Sequence, residues 1–288
     1  MNEKNVISID VEEWFHILDS PSAPPLAQWG NLEHRIEHSL ERMLELFHSK
    51  NVRVTFFWLG WAAERHQKLV RKCHEAGHEI ASHGYEHVLA YQVGQEKFRD
   101  DIVRGKKVLE DITGHVVKGF RAPGFGITDE TYWAFDVIKE VGYEYDSSVF
   151  PSSRGHGGLQ QASLDPYIIQ TTAGPLVELG MSMVEIMGRR FSFFGGGYLR
   201  LAPKWLMKLG INSLHAEKRP LIVYVHPREI DPHHPRLPLS PLRKFKCYVN
   251  LHTTMPKLTW LCSEYRFQTM DVLAEEIKST TMMSNVHI

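Results

Sequence analysis

Apolar positions along this 288-residue chain switch repeatedly between two spacings. Short continuous runs rich in β-branched and aromatic residues alternate with longer stretches in which apolar residues fall three and four apart, the signatures of buried strands and amphipathic helices. "NVISID" (5–10) reads as a strand. "NLEHRIEHSLERMLELFHSK" (31–50) reads as a helix with Ile36, Leu40, Met43, Leu44 and Phe47 on one stripe and Asn31 as its N-cap. "VRVTFFWLG" (52–60) is a second strand, a helix over 61–76 stops at Gly77, and "EIAS" (79–82) follows as a third strand. A helix over 95–113 ends at Gly114 and leads to "VVKGFRA" (116–122); Thr128 caps a helix ending at Gly142, before "YEYDSS" (143–148). Later strand candidates are "PLVELG" (175–180), "PLIVYV" (220–225) and "RFQTM" (266–270).

Strands separated by helices, with apolar runs unbroken by polar residues, imply a parallel sheet covered on both faces. Seven or eight such units fit a (β/α) barrel better than an open doubly wound sheet, which stays the alternative. No linker or repeat divides the chain, so a single domain over 1–275 is expected, followed by a flexible tail over 276–288.

Composition narrows the partners. The 33 Lys/Arg and 34 Asp/Glu give a net charge of −1, which supplies no global attraction for nucleic acid or an anionic membrane. Acidic and basic residues read as interspersed, and no single segment reads as a basic amphipathic anchor. No run approaches the ~20 apolar residues of an integral membrane span. The start "MNEKNVISIDVEEWF" does not read as a secretory leader, and three scattered cysteines (Cys73, Cys247, Cys262) suit a reducing compartment, so a cytoplasmic location is expected. A homo-oligomer is left open.

Chemistry enters with the histidines. With 17 of them, roughly one H-x-x-x-H pair is expected by chance, yet three occur: His34/His38, His74/His78 and His83/His87. Position separates them. In a parallel β/α barrel the active site lies where strands end. His83 and His87 follow "EIAS", whereas His34 and His38 alternate with glutamates on a helix's polar side and His74 and His78 straddle a helix end. Other strand ends deliver Asp10, Glu12 and Glu13, then Arg121, Asp146 and His226. Two imidazoles and one carboxylate suit a catalytic zinc-like ion with a position left open. Residues 10 and 12 share a strand face, which favours Glu12 as the carboxylate, with Glu13 as the alternative if the chain turns early. Trp14 and Phe15 follow this site directly and are candidates to stack on a sugar ring. "FFGGGYLRL" (193–201) lacks the lysine and Ser/Thr of a phosphate loop, and reads as a tight turn or a rim loop.

The segments "SIDVEEWF", "SHGYEH", "GFRAPGFG", "YEYDSS" and "VYVHPREID", in this order, resemble the motifs of NodB-homology polysaccharide deacetylases, carbohydrate esterase family 4. "FFGGGYLRL" and "YVNLH" extend the resemblance to the subfamily found with exopolysaccharide biosynthesis genes. The resemblance implies a distorted (β/α)7-type barrel and removal of acetyl groups from N-acetylhexosamine units of a saccharide. It implies Asp10 as base, His226 as acid, Arg121 as the residue orienting Asp10, and a divalent metal on His83 and His87. Glu12 falls on the carboxylate position of a related branch that carries Asp-x-Asp. Asp146 is implied as the partner of His226, with Glu178 able to serve instead, and the Gly124 backbone N–H and Phe125 lie where an oxyanion or substrate would sit. Zinc suits these ligands, though nickel, cobalt and iron also accept them. Two rivals remain: a cyclic amide or ureide amidohydrolase resembling allantoinase, and a carbohydrate-binding protein whose catalytic site has decayed.

Overall fold

The computed structural model describes residues 4–153 and 157–285. Among the described residues ten strands form in chain order: β1 (Asn5–Val11), β2 (Thr55–Trp58), β3 (Glu79–Ser82), β4 (Gly119–Phe120), β5 (Tyr145–Asp146), β6 (Tyr167–Thr171), β7 (Gly174–Glu178), β8 (Val184–Ile186), β9 (Arg189–Phe191) and β10 (Leu221–Val225). Eight of them make one sheet in the order β10-β1-β2-β3-β4-β5-β7-β6. Every pairing from β10 to β7 is parallel, and β6 closes the edge as an antiparallel partner of β7. Seven parallel strands are thus the expected (β/α)7-type barrel in distorted, open form.

The two faces of the sheet bury different clusters. Along β1, Ile7, Ile9 and Val11 join Phe56, Trp58 and Ile80 in the core beneath the helices. Val6 points the other way, into a second cluster with Phe57, Tyr145, Val177 and Tyr224. That cluster joins side chains from both ends of the sheet, so it fills a concave interior. Ser8 and Asp10 follow Val6 on this inner face by alternation. Met270 and Leu273, at the start of the helix Met270–Asn285, plug the interior from below.

Several expected elements form as read, and others do not. The long helix is Ala90–Thr113, interrupted at Gly94, and it ends at Gly114 with φ 72° as expected. The helix expected over 61–76 breaks at His66 into Gly60–Arg65 and Gln67–Glu75. "RFQTM" contributes one bridge, Val6 to Gln268, instead of a strand, because the chain enters a helix at Met270. Part of the expected tail is helical as far as Asn285, while residues 286–288 lie outside the described residues. The helix expected over 31–50 is Ile36–Ser49, preceded by a short helix Leu26–Trp29, and Asn31 does not cap it. The hairpins β6–β7 and β8–β9 were not legible as strands beyond "PLVELG". No helix among the described residues is long and apolar enough to cross a membrane.

At the base of the barrel Glu79 ties strands to the last helix. Its carboxyl accepts hydrogen bonds from Thr55 Oγ1 (2.6 Å), Tyr145 Oη (2.7 Å) and Asp271 N (3.1 Å). Burial, followed by the nearby Asp271 carboxylate, pushes Glu79 up to about 7 despite these donors. A carboxyl raised on folding keeps its proton in the folded state where the unfolded chain has lost it, so its contribution to stability falls as pH rises from about 4.5 to about 7. Chemical denaturation of Glu79→Gln beside the wild type should therefore show the variant gaining on the wild type across that window. A gap that does not change with pH would contradict the assignment.

Candidate active site

Five chain segments converge where the parallel strands end. Asp10 lies near the end of β1, and Glu12 follows in a tight turn closed by Glu12 N to Asp10 O at 3.0 Å. His83 leaves β3 and donates its backbone N–H to Trp58 O at 2.8 Å. The loop 83–87 turns sharply at Gly84, whose φ is 79° and whose missing Cβ would lie 2.5 Å from Asp101 Oδ2. Asp101 in turn accepts Tyr85 N and Glu86 N, each at 2.8 Å, so the long helix holds the loop that presents His87. His226 follows β10, whose Val225 pairs with Ile9.

Arg121 organises this rim. Its guanidinium is fully buried, lies 4.1 Å from the centre of the Phe57 ring, and donates Nη1 to Asp10 Oδ1 at 2.6 Å and to Ser8 Oγ at 2.9 Å. Nη2 donates to Ser147 Oγ at 3.0 Å and Nε to Ser147 O at 3.2 Å. Its own carbonyl accepts His83 Nδ1–H at 2.7 Å. One residue thus aims both Asp10 and His83.

That last bond has a chemical consequence. With Nδ1 donating, a neutral His83 turns the Nε2 lone pair toward Glu12 Oε1 at 3.1 Å, and His87 Nε2 lies 2.9 Å from the same oxygen. Burial alone would raise the Glu12 carboxyl, but the surrounding His87, His226 and His83 outweigh burial and hold it well below the usual carboxylate range. Burial in turn keeps His87 below the usual imidazole value. A buried carboxylate facing imidazole lone pairs is a donor set made for a cation. Glu12, His83 and His87 bring their ligand atoms within 4.8 Å of one another.

His226 completes the ring. Its Nε2 lies 3.9 Å from Asp10 Oδ2 and 3.7 Å from Glu12 Oε1. Burial would lower this imidazole, but the Glu12 and Glu229 carboxylates outweigh it and raise it. Glu229, not Asp146, is its neighbour: Glu229 Oε2 accepts His226 N at 3.2 Å and lies 3.7 Å from Nδ1. Burial works against the Glu229 carboxylate, yet Arg200 and His226 bring it down to about 2. The signal was present in "HPRE", a proline after a candidate N-cap and a glutamate three residues on.

Other expectations need correction. Asp146 is buried on β5 beside Glu178, its register partner on β7, and accepts Ser148 N (3.0 Å) and Ser148 Oγ (2.6 Å). Burial and the facing Asp146 push Glu178 well above the usual range, and burial raises Asp146 as well. Trp14 and Phe125, expected against substrate, are both buried. Trp14 Nε1 donates to Glu33 O at 2.8 Å, Phe15 packs among Trp29, Trp61 and His34, and Phe125 lies edge-on to Tyr224 at 4.9 Å. Gly124 sits beside Phe125 with φ 63° in a half-buried turn. "FFGGGYLRL" forms the helix Gly196–Leu201, and a Cβ on Gly195 would meet the Tyr224 ring at 1.9 Å, so the glycine permits close packing on β10.

The remaining histidine pairs lie in other surroundings. His38 is exposed as expected, but His34 is half-buried and bonds Glu13 Oε1 at 3.1 Å. His74 lies against His115, with ring centres 4.4 Å apart. His78 is buried, accepts Val54 N–H at 3.2 Å, and is brought down to about 4 by burial and Arg53. Glu13, the alternative ligand, caps the helix Ile36–Ser49, accepting Arg35 N at 3.1 and 3.0 Å. Removing such a cap costs about 1–2 kcal/mol. Glu13→Ala should therefore lower the unfolding free energy by about that much while leaving metal content at wild-type level; loss of metal in this variant would restore Glu13 as the ligand.

Comparisons with known proteins agree with this geometry. Residues 32–145 match the family described as polysaccharide deacetylase, and residues 147–275 match a domain of unknown function, DUF3473. A peptidoglycan-N-acetylglucosamine deacetylase of Bacillus cereus is 34% identical over 103 residues, covering 36% of this chain and 46% of that protein. A peptidoglycan deacetylase of Helicobacter pylori is 26% identical over 113 residues, covering 39% of this chain and 38% of that one. The chain therefore spans less than half the length of these curated relatives. In fold, a protein described as a polysaccharide deacetylase from Mycobacterium smegmatis superposes with a TM-score of 0.65 at 20% identity, covering 97% of this chain and 92% of the other. The PuuE allantoinase superposes with a TM-score of 0.62 at 17% identity, over 97% and 90% of the two chains. With the barrel and the rim accounted for, the chain is similar to polysaccharide deacetylases over residues 32–145, and this stretch continues into a DUF3473-matching segment that supplies β7, β10 and His226.

Proposed function

We propose that the protein is a metal-dependent N-deacetylase acting on N-acetylhexosamine units of a saccharide, an intermediate in the synthesis of an exopolysaccharide or surface glycan. The observation that carries this reading is the facing pair Asp10 and His226, 3.9 Å apart beside the Glu12–His83–His87 cluster. A base and an acid on either side of a cation site suit hydrolysis of an amide.

Glu12 Oε1, His83 Nε2 and His87 Nε2 would hold the ion. When bound, a divalent cation, zinc most simply, supplies Lewis acidity toward the acetamide carbonyl. Asp10 Oδ2 accepts the proton of the attacking water, because Arg121 already occupies Oδ1 and fixes the carboxylate plane. His226 gives its proton to the departing amine, and Glu229 steadies the imidazole in that orientation. Gly124, in its left-handed turn, offers a backbone N–H to the developing oxyanion.

The fold is shared with an allantoinase and does not separate amide substrates, but the curated relatives are named as deacetylases of N-acetylated glycans, which supports acetyl removal over ring opening. The Asp10–Arg121 hydrogen bond, with His226 3.9 Å from Asp10, speaks against a decayed binding protein. The three free cysteines, two of them buried, fit a reducing compartment, and we assign the enzyme to the cytoplasm on that ground.

Acetate release from short N-acetylglucosamine oligosaccharides, measured beside bound metal, tests the reading. Asp10→Asn should keep the metal and lose at least about 100-fold in rate. Glu12→Gln, His83→Ala and His87→Ala should each lose metal, whereas His38→Ala should change neither quantity. Metal retained by the Glu12 and His83 variants, or acetate release undiminished in Asp10→Asn, would contradict it.

A further inference from the structure

Charge and apolar surface coincide outside the active site. Residues 186–216 and 232–263 hold ten Lys/Arg, of which Arg200 and Lys257 are buried, and no Asp or Glu, in a chain where 33 basic residues meet 34 acidic ones. The fold brings these segments together. The helix Lys204–Ala216 packs against β8 through Gly210, beside Val184 and Phe193. Arg200, on the helix Gly196–Leu201, donates to Cys247 O and Lys246 O, each at 2.8 Å, and so ties that helix to Pro241–Tyr248.

These elements carry nine of the fifteen exposed large apolar side chains among the described residues, far more than an even scatter would place there. Trp205 (66% exposed) and Leu209 stand one turn apart on the helix 204–216, with Lys208 between them. Leu242 and Phe245 are exposed on 241–248 beside Lys244 and Lys246. Met187 is wholly exposed at the tip of the β8–β9 hairpin, with φ 52°. A two-residue hairpin turn with positive φ favours Asn or Gly, so an exposed methionine there is unfavourable both locally and in water. A cavity of about 330 Å³ opens among them, lined by Met183, Phe191, Phe193, Tyr198, Leu201 and Leu206.

We propose that this face is a docking surface for an anionic lipid bilayer, with Met187, Trp205, Leu209, Leu242 and Phe245 entering the interface and the lysines pairing with acidic headgroups. Apolar residues interleaved with basic ones on one face are the makings of an interfacial anchor. Here three elements distant in sequence assemble it, which is why no single segment shows it. A second copy of the chain is the poorer occupant, since a two-fold contact would bring the same all-basic segments face to face. The face also adjoins the active site: Arg200 Nη2 lies 3.5 Å from Glu229 Oε1, and Glu229 neighbours His226. Docking here would present the rim to saccharides held at a membrane surface.

The test uses the full chain and phosphatidylcholine vesicles with or without about 30 mol % phosphatidylglycerol. The wild type should sediment with the anionic vesicles, weaken as salt rises, and show quenching of Trp205 fluorescence by brominated lipid that Trp205→Phe abolishes. Trp205→Glu and Leu209→Glu should each lower vesicle affinity at least tenfold, and Lys208→Glu or Lys244→Glu roughly fivefold or more. Acetate release from a short soluble oligosaccharide should be unchanged in these variants. Equal binding to neutral vesicles, no vesicle binding, or undiminished binding by the glutamate variants would overturn the proposal. So would a dimer that Trp205→Glu converts to monomer in the absence of vesicle binding.

Discussion

Everything at the rim depends on Arg121. A buried guanidinium and carboxylate lose hydration that their attraction alone does not restore, so such a pair persists only where further hydrogen bonds satisfy it. Ser8, both polar groups of Ser147, the Phe57 face and Asp10 supply those contacts. Removing one partner of such a pair typically costs about 3–5 kcal/mol, which makes the arrangement hard to perturb halfway. The same residue's carbonyl holds the His83 ring. A single position between β4 and β5 therefore sets the direction of Asp10 and of the His83 ring, and it couples the segment matched to polysaccharide deacetylases to Ser147, the first residue of the DUF3473 segment.

The barrel was legible because strand ends are marked by abrupt changes from apolar runs to polar residues, and parallel packing makes those ends coincide. Asp10, Glu12, His83, His87, Arg121 and His226 all fall at such changes and all meet in the structure. Alternation along β1 also separated Glu12 from Glu13, whose carboxylate turns outward to the helix that follows. What sequence could not show was chosen by tertiary contacts. Asp146 ends its strand like the others, but the neighbouring β7 offers Glu178 in register, and Asp146 accepts hydrogen bonds from Ser148 instead of meeting His226. Trp14 follows the site in sequence yet turns back into the core once its indole N–H finds the Glu33 carbonyl. His34 leaves the polar stripe because its helix begins two residues later, at Ile36.

Averages concealed the second feature. A net charge of −1 and an even count of acids and bases describe the whole chain, but the acids are concentrated elsewhere and the DUF3473 segment keeps a basic, apolar face. Its helices pack through Arg200 onto Glu229, so the segment is at once a wall of the barrel, the source of His226 and the carrier of that face. The buried Glu229 carboxylate is the point where surface architecture and site chemistry touch.

The central claim is that Arg121 and the strand ends assemble one cation site from Glu12, His83 and His87. A crystal structure of the protein grown with zinc, with anomalous scattering collected at the zinc edge, addresses it most directly. The account predicts a peak bound by Glu12 Oε1, His83 Nε2 and His87 Nε2, with the Arg121 carbonyl still on His83 Nδ1. The Glu13, His34 and His66 side chains also bring ligand atoms within 4.8 Å of one another, and Glu13 is there engaged as a helix cap. A peak at that second cluster with none at the first would contradict the account.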